Sequence, residues 1–199
     1  MAYFLFYPYT DQTTYSTLAN LSTAVGPVLN AAQPPVPPAA VGSILSAGHW
    51  LTDLSTLTEQ DTLVVVAHGA EGGKVMGSND KTLAKNLSHI DQTEIIKRMV
   101  QVGLTKTKFC TLLIYSCYSG LGERPLACRI ARQLQNDNFA CYSKVYGCLG
   151  KANVKAKNNQ LTVEIEGYYD EAGDIYHEGG YTPINADLSK KPTLKADPK

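Results

Sequence analysis

The 199 residues carry 18 Lys and Arg against 18 Asp and Glu, so the formal charge at neutral pH is zero, and 44% of the chain is hydrophobic. That apolar content suffices for one good core in one domain, and the balanced charge lacks the basic surplus by which nucleic-acid binders hold phosphates. No apolar run reaches the length that spans a bilayer, and the apolar start, without a basic flank and broken by Pro8 and Asp11, reads as a strand rather than a signal peptide.

Five cysteines, Cys110, Cys117, Cys128, Cys141 and Cys148, are odd in number and contain no CxxC pair. Neither a disulfide framework nor a structural zinc site is indicated, and a reducing compartment follows: the cytoplasm, of the producing cell or of one that receives the chain as an effector. His49, His68, His89 and His177 have no metal-ligand spacing. Glu71-Gly72-Gly73 is the nearest approach to a phosphate loop and lacks its pattern and its Lys-Ser/Thr ending. No metal and no cofactor is expected.

In chain order, residues 2–7 read as the first strand, and residues 13–30 show helical spacing at Leu18, Leu21, Val25 and Leu29, interrupted by Gly26-Pro27. Paired prolines make residues 33–40 an extended loop, and residues 44–57 are expected to be partly helical. Residues 62–67 form a short, mostly β-branched apolar run, the signature of a strand buried on both faces. Residues 74–76 read as a short edge strand. Asp91 is placed to cap a helix, with Glu94 returning to the first amide, and Val102-Gly103 to stop it. That helix is the crossover to a second buried strand at 109–115, laid parallel to the first. A helix at 125–134, a strand at 141–149, a hairpin turning at 157–160 and an ordered Tyr- and Gly-rich loop at 168–181 follow. Residues 190–199 are expected to fray. The domain is taken as residues 1–188, with 189–199 as a polar C-terminal tail.

The first buried run ends in His68-Gly69 and the second in Ser116-Cys117-Tyr118-Ser119-Gly120. If the two strands are parallel neighbours, His68 and Cys117 emerge at one carboxyl edge, where open α/β sheets build their sites. An imidazole beside a thiol is the minimal pair for a cysteine nucleophile. Taken singly, a cysteine is more often structural and a histidine after a strand more often a turn residue. It is the coincidence of both strand tips that carries weight.

The order, His first and Cys about fifty residues later, is that of the caspases. Val64-Val65-Val66-Ala67-His68-Gly69 and Leu112-Leu113-Ile114-Tyr115-Ser116-Cys117 resemble the strand ends of the caspase-like cysteine peptidases, the group of caspases, metacaspases, gingipains, clostripain and toxin self-cleaving domains. Ser116-Cys117-Tyr118-Ser119-Gly120 is especially similar to the Ser-Cys-His-Ser-Gly of metacaspases. The resemblance covers residues 62–150. It implies a three-layer α/β/α sandwich with a mainly parallel central sheet. It also implies Cys117 as nucleophile, His68 as acid and base, and the backbone amides of Gly69 and Cys117 as the oxyanion hole. The partner would be a protein or peptide substrate, with self-processing as one mode.

One departure bears on specificity. Metacaspases have an Asp two residues before the Cys, against the P1 side chain; here that position is Tyr115. Tyr115 and the acids of the C-terminal region, Asp170 with Glu171 and Asp174, are the candidates for the P1 pocket, and the acids tilt the reading toward a basic P1. Two rivals stand beside the peptidase: an inactive caspase-like interaction module, and a doubly wound domain binding a small molecule at the same edge. Intact His68, Gly69 and Cys117 weigh against the first, and the absent phosphate loop against the second.

Overall fold

The computed structural model describes residues 3–9, 43–44, 50–51, 54–69, 72–78, 88–157, 160–169, 176–178, 181–183 and 193–198. Strand β1 is Tyr3–Phe6, followed by the short strands β2 (Ser43–Ile44) and β3 (Trp50–Leu51), a 3-10 turn at Leu54–Thr56 and strand β4 (Thr62–Val66). Strands β5 (Met76–Gly77) and β6 (His89–Ile90) precede helix α1 (Gln92–Gln101), strand β7 (Thr111–Tyr115) and helix α2 (Leu126–Asn136). A 3-10 turn at Ala140–Lys144 leads to β8 (Val145–Cys148), β9 (Gly150–Lys157), β10 (Gln160–Tyr169), β11 (Tyr176–Glu178), β12 (Tyr181–Pro183) and β13 (Thr193–Lys195).

The main sheet runs β1-β4-β7-β8-β13. Its first four strands are parallel, with Val66 level with Tyr115 and Leu113 with Tyr146. This is an α/β fold. Every residue of β4 is buried; because successive side chains in a strand point to opposite faces, the sheet is covered on both sides there. Leu112–Tyr115 of β7 are buried in the same way. The expected run of parallel strands is therefore present, with β1 beside β4 as read. The helix expected over residues 13–30 and the proline loop at 33–40 lie outside the described residues.

Helix α1 begins as its sequence dictates. The Asp91 carboxylate accepts from the amides of Thr93 and Glu94 at 3.0 and 3.1 Å, satisfying two donors the helix leaves open. Glu94 does not return to the cap. It turns along the helix to Arg98 at 2.8 Å and Lys97 at 3.3 Å, and the Arg98 hydrogen bond, foremost, holds its carboxyl below the ordinary range. The helix closes on Gly103 at φ +104, with Leu104 N–H bonding Met99 O at 3.0 Å and Gly103 N–H bonding Val100 O at 3.1 Å, a left-handed glycine stop. Helix α2 ends by the same device with Asn138 at φ +61 and Phe139 N–H on Leu134 O at 2.8 Å. The face of Leu126, Ala127, Ile130, Ala131 and Leu134 is buried, and α2 packs on both α1 and β8.

Three expectations are corrected, and one is met only in part of its range: within residues 44–57 the described parts are a two-residue antiparallel pair, Ser43↔Leu51 and Ile44↔Trp50, and a 3-10 helix at Leu54–Thr56, the remainder lying outside the described residues. The strand expected from Cys141 begins at Val145, because residues 140–144 coil as the 3-10 turn that follows α2. Part of the Tyr-rich loop is sheet: β11 and β12 pair antiparallel with β10, which also carries the expected β9 hairpin. Within the tail, β13 does not fray but pairs antiparallel with β8, and Ala196, 6% exposed, donates to Val145 O at 2.7 Å. A polar segment is retained here because the edge of β8 offers it backbone partners.

Candidate active site

The site forms where β4 and β7 end side by side. Val66 and Tyr115 are in register, Ala67 N–H still reaches Tyr115 O at 3.4 Å, and the chains then part. His68 and Cys117 each stand two residues past that last pair, so both leave at the carboxyl edge of the sheet. His68 is exposed, whereas Gly69 and Cys117 are half-buried.

The His68 backbone is held firmly for an edge residue. Its N–H donates to Gly77 O at 3.1 Å and its carbonyl accepts from Gly77 N–H at 2.8 Å. Strand β5, which supplies Gly77, is fastened in turn by β6 and by the Tyr9 phenol, which donates to Met76 O at 2.6 Å. Tyr9 is 1% exposed, stacks obliquely on Tyr7 at 5.7 Å and lies under the Arg98 guanidinium. A residue just past the first strand thus helps fix the imidazole's backbone, a link that sequence spacing does not reveal.

Gly69 lies directly against the cysteine turn. A methyl group on its Cα would meet Cys117 O at 2.5 Å and Cys117 N at 3.0 Å, and would overlap the Ser116 hydroxyl. Only glycine allows this approach. Among the described residues, neither Gly69 nor Cys117 donates its amide hydrogen to an acceptor, and the Ser116 hydroxyl, in a residue 2% exposed, is likewise unpartnered. Buried polar groups are normally satisfied, so the enclosed Ser116 hydroxyl, beside two half-buried residues whose amides have no described acceptor, sets this turn apart.

The turn itself is shaped by Tyr118 at φ +57, a conformation that costs a bulky L-residue energy and occurs where structure enforces it. Tyr118 N–H bonds Gly150 O and Gly120 N–H bonds Cys148 O, both at 2.9 Å. The Ser119 hydroxyl donates to Ile114 O at 2.5 Å and accepts from Cys148 N–H at 3.0 Å, tying the end of β7 to the end of β8. Gly120 and Gly147 cross so closely that a Cβ on Gly120 would lie 2.6 Å from Gly147 O. Sequence spacing assigns no role to Ser116, Ser119, Gly147 or Ala152. The paired serines flanking Cys117 are the one signal present.

The thiol sits against β9. Its sulfur donates toward Ala152 O at 3.7 Å and accepts from Ala152 N–H at 3.4 Å. The other cysteines are differently placed. Cys148 is wholly buried and its thiol is pushed up to about 12, chiefly by burial and then by Cys117 nearby. Cys128 is raised by burial. Cys110 and Cys141, both buried, hydrogen-bond to each other, which raises the first and lowers the second.

Tyr115 is 2% exposed; as the last paired residue of β7 it is packed in the core rather than presented at the edge. Asp170, Glu171 and Asp174 lie outside the described residues. Among the described residues no cluster of His, Cys, Asp and Glu could hold a metal ion, and no helix is long and apolar enough to cross a membrane. The fold and this edge define an α/β domain with an imidazole-bearing and a thiol-bearing turn on adjacent parallel strands. Comparison with protein families, curated proteins and solved structures returned no match for the chain.

Proposed function

We propose that this chain is a caspase-like cysteine endopeptidase, built on a caspase-like α/β/α sandwich and working in a reducing compartment on a protein or peptide substrate. The observation that carries the reading is the seat of the His68-Gly69 turn on the Ser116-Cys117 turn, with the amides of Gly69 and Cys117 both without an acceptor among the described residues. In this reading His68 takes the Cys117 proton and the sulfur attacks the scissile carbonyl. The carbonyl oxygen, now negative, is met by the two amides; one such donor is typically worth about 2.7–4 kcal/mol of barrier. His68 then protonates the leaving amine, the C–N bond breaks, and an acyl-enzyme remains. His68 next takes a proton from water, whose oxygen attacks the thioester; expulsion of the sulfur frees the acid and restores the thiol.

The proton that Cys117 directs toward Ala152 O must leave before attack, and His68 is the base at this edge to receive it. A basic P1 side chain is the proposed preference, resting on the acids of the C-terminal region and not on the enclosed Tyr115. Self-processing is the first substrate to examine.

The test is Cys117→Ala and His68→Ala, each assayed on a positional-scanning library of fluorogenic peptides. Each should abolish hydrolysis with the fold intact, and the double variant should be scarcely worse than either, because the pair acts as a unit. Iodoacetamide should label Cys117 ahead of the four other cysteines. Turnover at the wild-type rate in Cys117→Ala would end the proposal, and a dominant apolar or acidic P1 would end its specificity clause.

A further inference from the structure

Helix α2 carries a second site on the face opposite its buried stripe. Arg129, Arg132, Gln133 and Asn136 follow one another at helical spacing. With Arg124 ahead of the helix and Gln92 in the first turn of α1, they line a cavity of about 160 Å³. Three guanidinium groups therefore border one hollow in a chain whose charges balance.

No carboxylate among the described residues forms an ion pair with them. Among the described residues the ion pairs to carboxylates are those of Glu94 with Lys97 and Arg98. Asp91 is engaged with the amides that it caps. Asp137 accepts from the Gln133 side-chain amide at 3.0 Å. Glu123, adjacent to Arg124 in the chain, is exposed. Arg98 shows how this protein treats an arginine that serves the fold, for it meets Glu94, a backbone carbonyl of Pro8 and the Tyr9 ring. Arg129, by contrast, bonds through Nε to Arg124 O at 2.9 Å, which leaves its terminal nitrogens for the hollow. Arg124, which lines the same hollow, holds φ +52, an unfavourable setting for a long side chain.

We infer that this cavity between α1 and α2 is a binding site for the phosphoryl group of a small soluble phosphate. Like charges gathered without a carboxylate ion-paired to them repel, and a bound dianion removes that repulsion. The planar guanidinium fork matches phosphate oxygens two at a time, whereas a lysine offers only a point charge. The side-chain amides of Gln92 and Asn136 add neutral donors. A single phosphoryl group suits a cavity of this size, since one water takes about 30 Å³ of liquid. Neither Cys117 nor His68 lines the cavity, and the inference does not depend on what Cys117 does.

The test uses the full chain. It is titrated at constant ionic strength with inorganic phosphate, with glycerol phosphate and with acetate, and heat and melting temperature are followed. Saturable binding of either phosphate, with acetate inert, supports the inference, and the tighter of the two distinguishes a free from an esterified source. Arg129→Gln with Arg132→Gln, at positions whose loss leaves the buried stripe intact, should weaken binding at least tenfold, about 1.4 kcal/mol. Lys97→Gln, on α1 but outside the cavity, should bind as wild type. The inference is overturned if no saturable binding occurs, if acetate binds equally, or if the double variant keeps wild-type affinity. Circular dichroism of the variants separates lost binding from lost fold.

Discussion

Replacing Gly69 with alanine tests the geometry of the edge directly. The new Cβ would stand 2.5 Å from Cys117 O and 3.0 Å from Cys117 N, and a carbon at ordinary contact distance, about 3.5 Å, must move away by about 1 Å from the closer of them. Both atoms are backbone, and the nearby Ser116 hydroxyl belongs to a residue 2% exposed, so no flexible side chain can simply swing aside. The two turns must separate. Overpacking of this kind costs about 1–3 kcal/mol of stability, a sizeable part of the roughly 5–15 kcal/mol that holds a domain together. The same displacement moves the Gly69 amide, and about 1 Å of misplacement can lower turnover roughly a hundredfold. Urea denaturation measures the first effect. The rate of peptide hydrolysis, with iodoacetamide modification of Cys117 followed by mass spectrometry, measures the second. An alanine variant that matches wild type in unfolding midpoint and in Cys117 reactivity would show that Gly69 and Cys117 do not touch. Lost stability with unchanged hydrolysis would keep the contact and remove Gly69 from the oxyanion hole.

The two serines beside Cys117 should part company on truncation. Ser119→Ala strands Cys148 N–H in the interior, at about 1–3 kcal/mol, while Ile114 O keeps the Ser116 N–H at 3.1 Å; Ser116→Ala removes a hydroxyl without a partner among the described residues and should leave the urea midpoint nearly unchanged. Cys148 sets an alkaline limit. Its folded value of about 12 exceeds that of a free thiol, so the folded state holds this proton more tightly and the thiol's contribution is complete below the free-thiol range and lost as pH rises toward 12. Thermal melts across that range should fall less steeply in Cys148→Ala than in wild type, after allowance for the variant's lower starting point; equal slopes would remove Cys148 as the cause.

Local rules carried much of this chain. The Asp91 cap, the Gly103 stop and the β9–β10 hairpin each depend on residues within a few positions of one another, and such signals can be read in one dimension. The buried runs at 62–66 and 111–115 were legible because continuous apolar β-branched sequence has few other uses. Polar stretches misled, since β13 and β11 take their conformation from strands far away in sequence and not from their own composition. The same limit hid the enclosure of Tyr115: a period of two places it on a face, but only the packed sheet decides whether that face is open.

By itself the sequence determined that two buried strands end in His68-Gly69 and Ser116-Cys117, and that a capped crossover helix lies between them. Local propensity and the parallel crossover rule suffice for that. Tertiary structure alone decided that β4 and β7 are neighbours in register, that Gly69 rests on Cys117, and that Tyr9, Gly77, Gly147 and Ala152 converge on the same edge. It also decided that three arginines surround a hollow with no ion-paired acid among the described residues. Those are contacts between residues tens of positions apart, and their energies depend on distance in space, which a linear pattern does not contain.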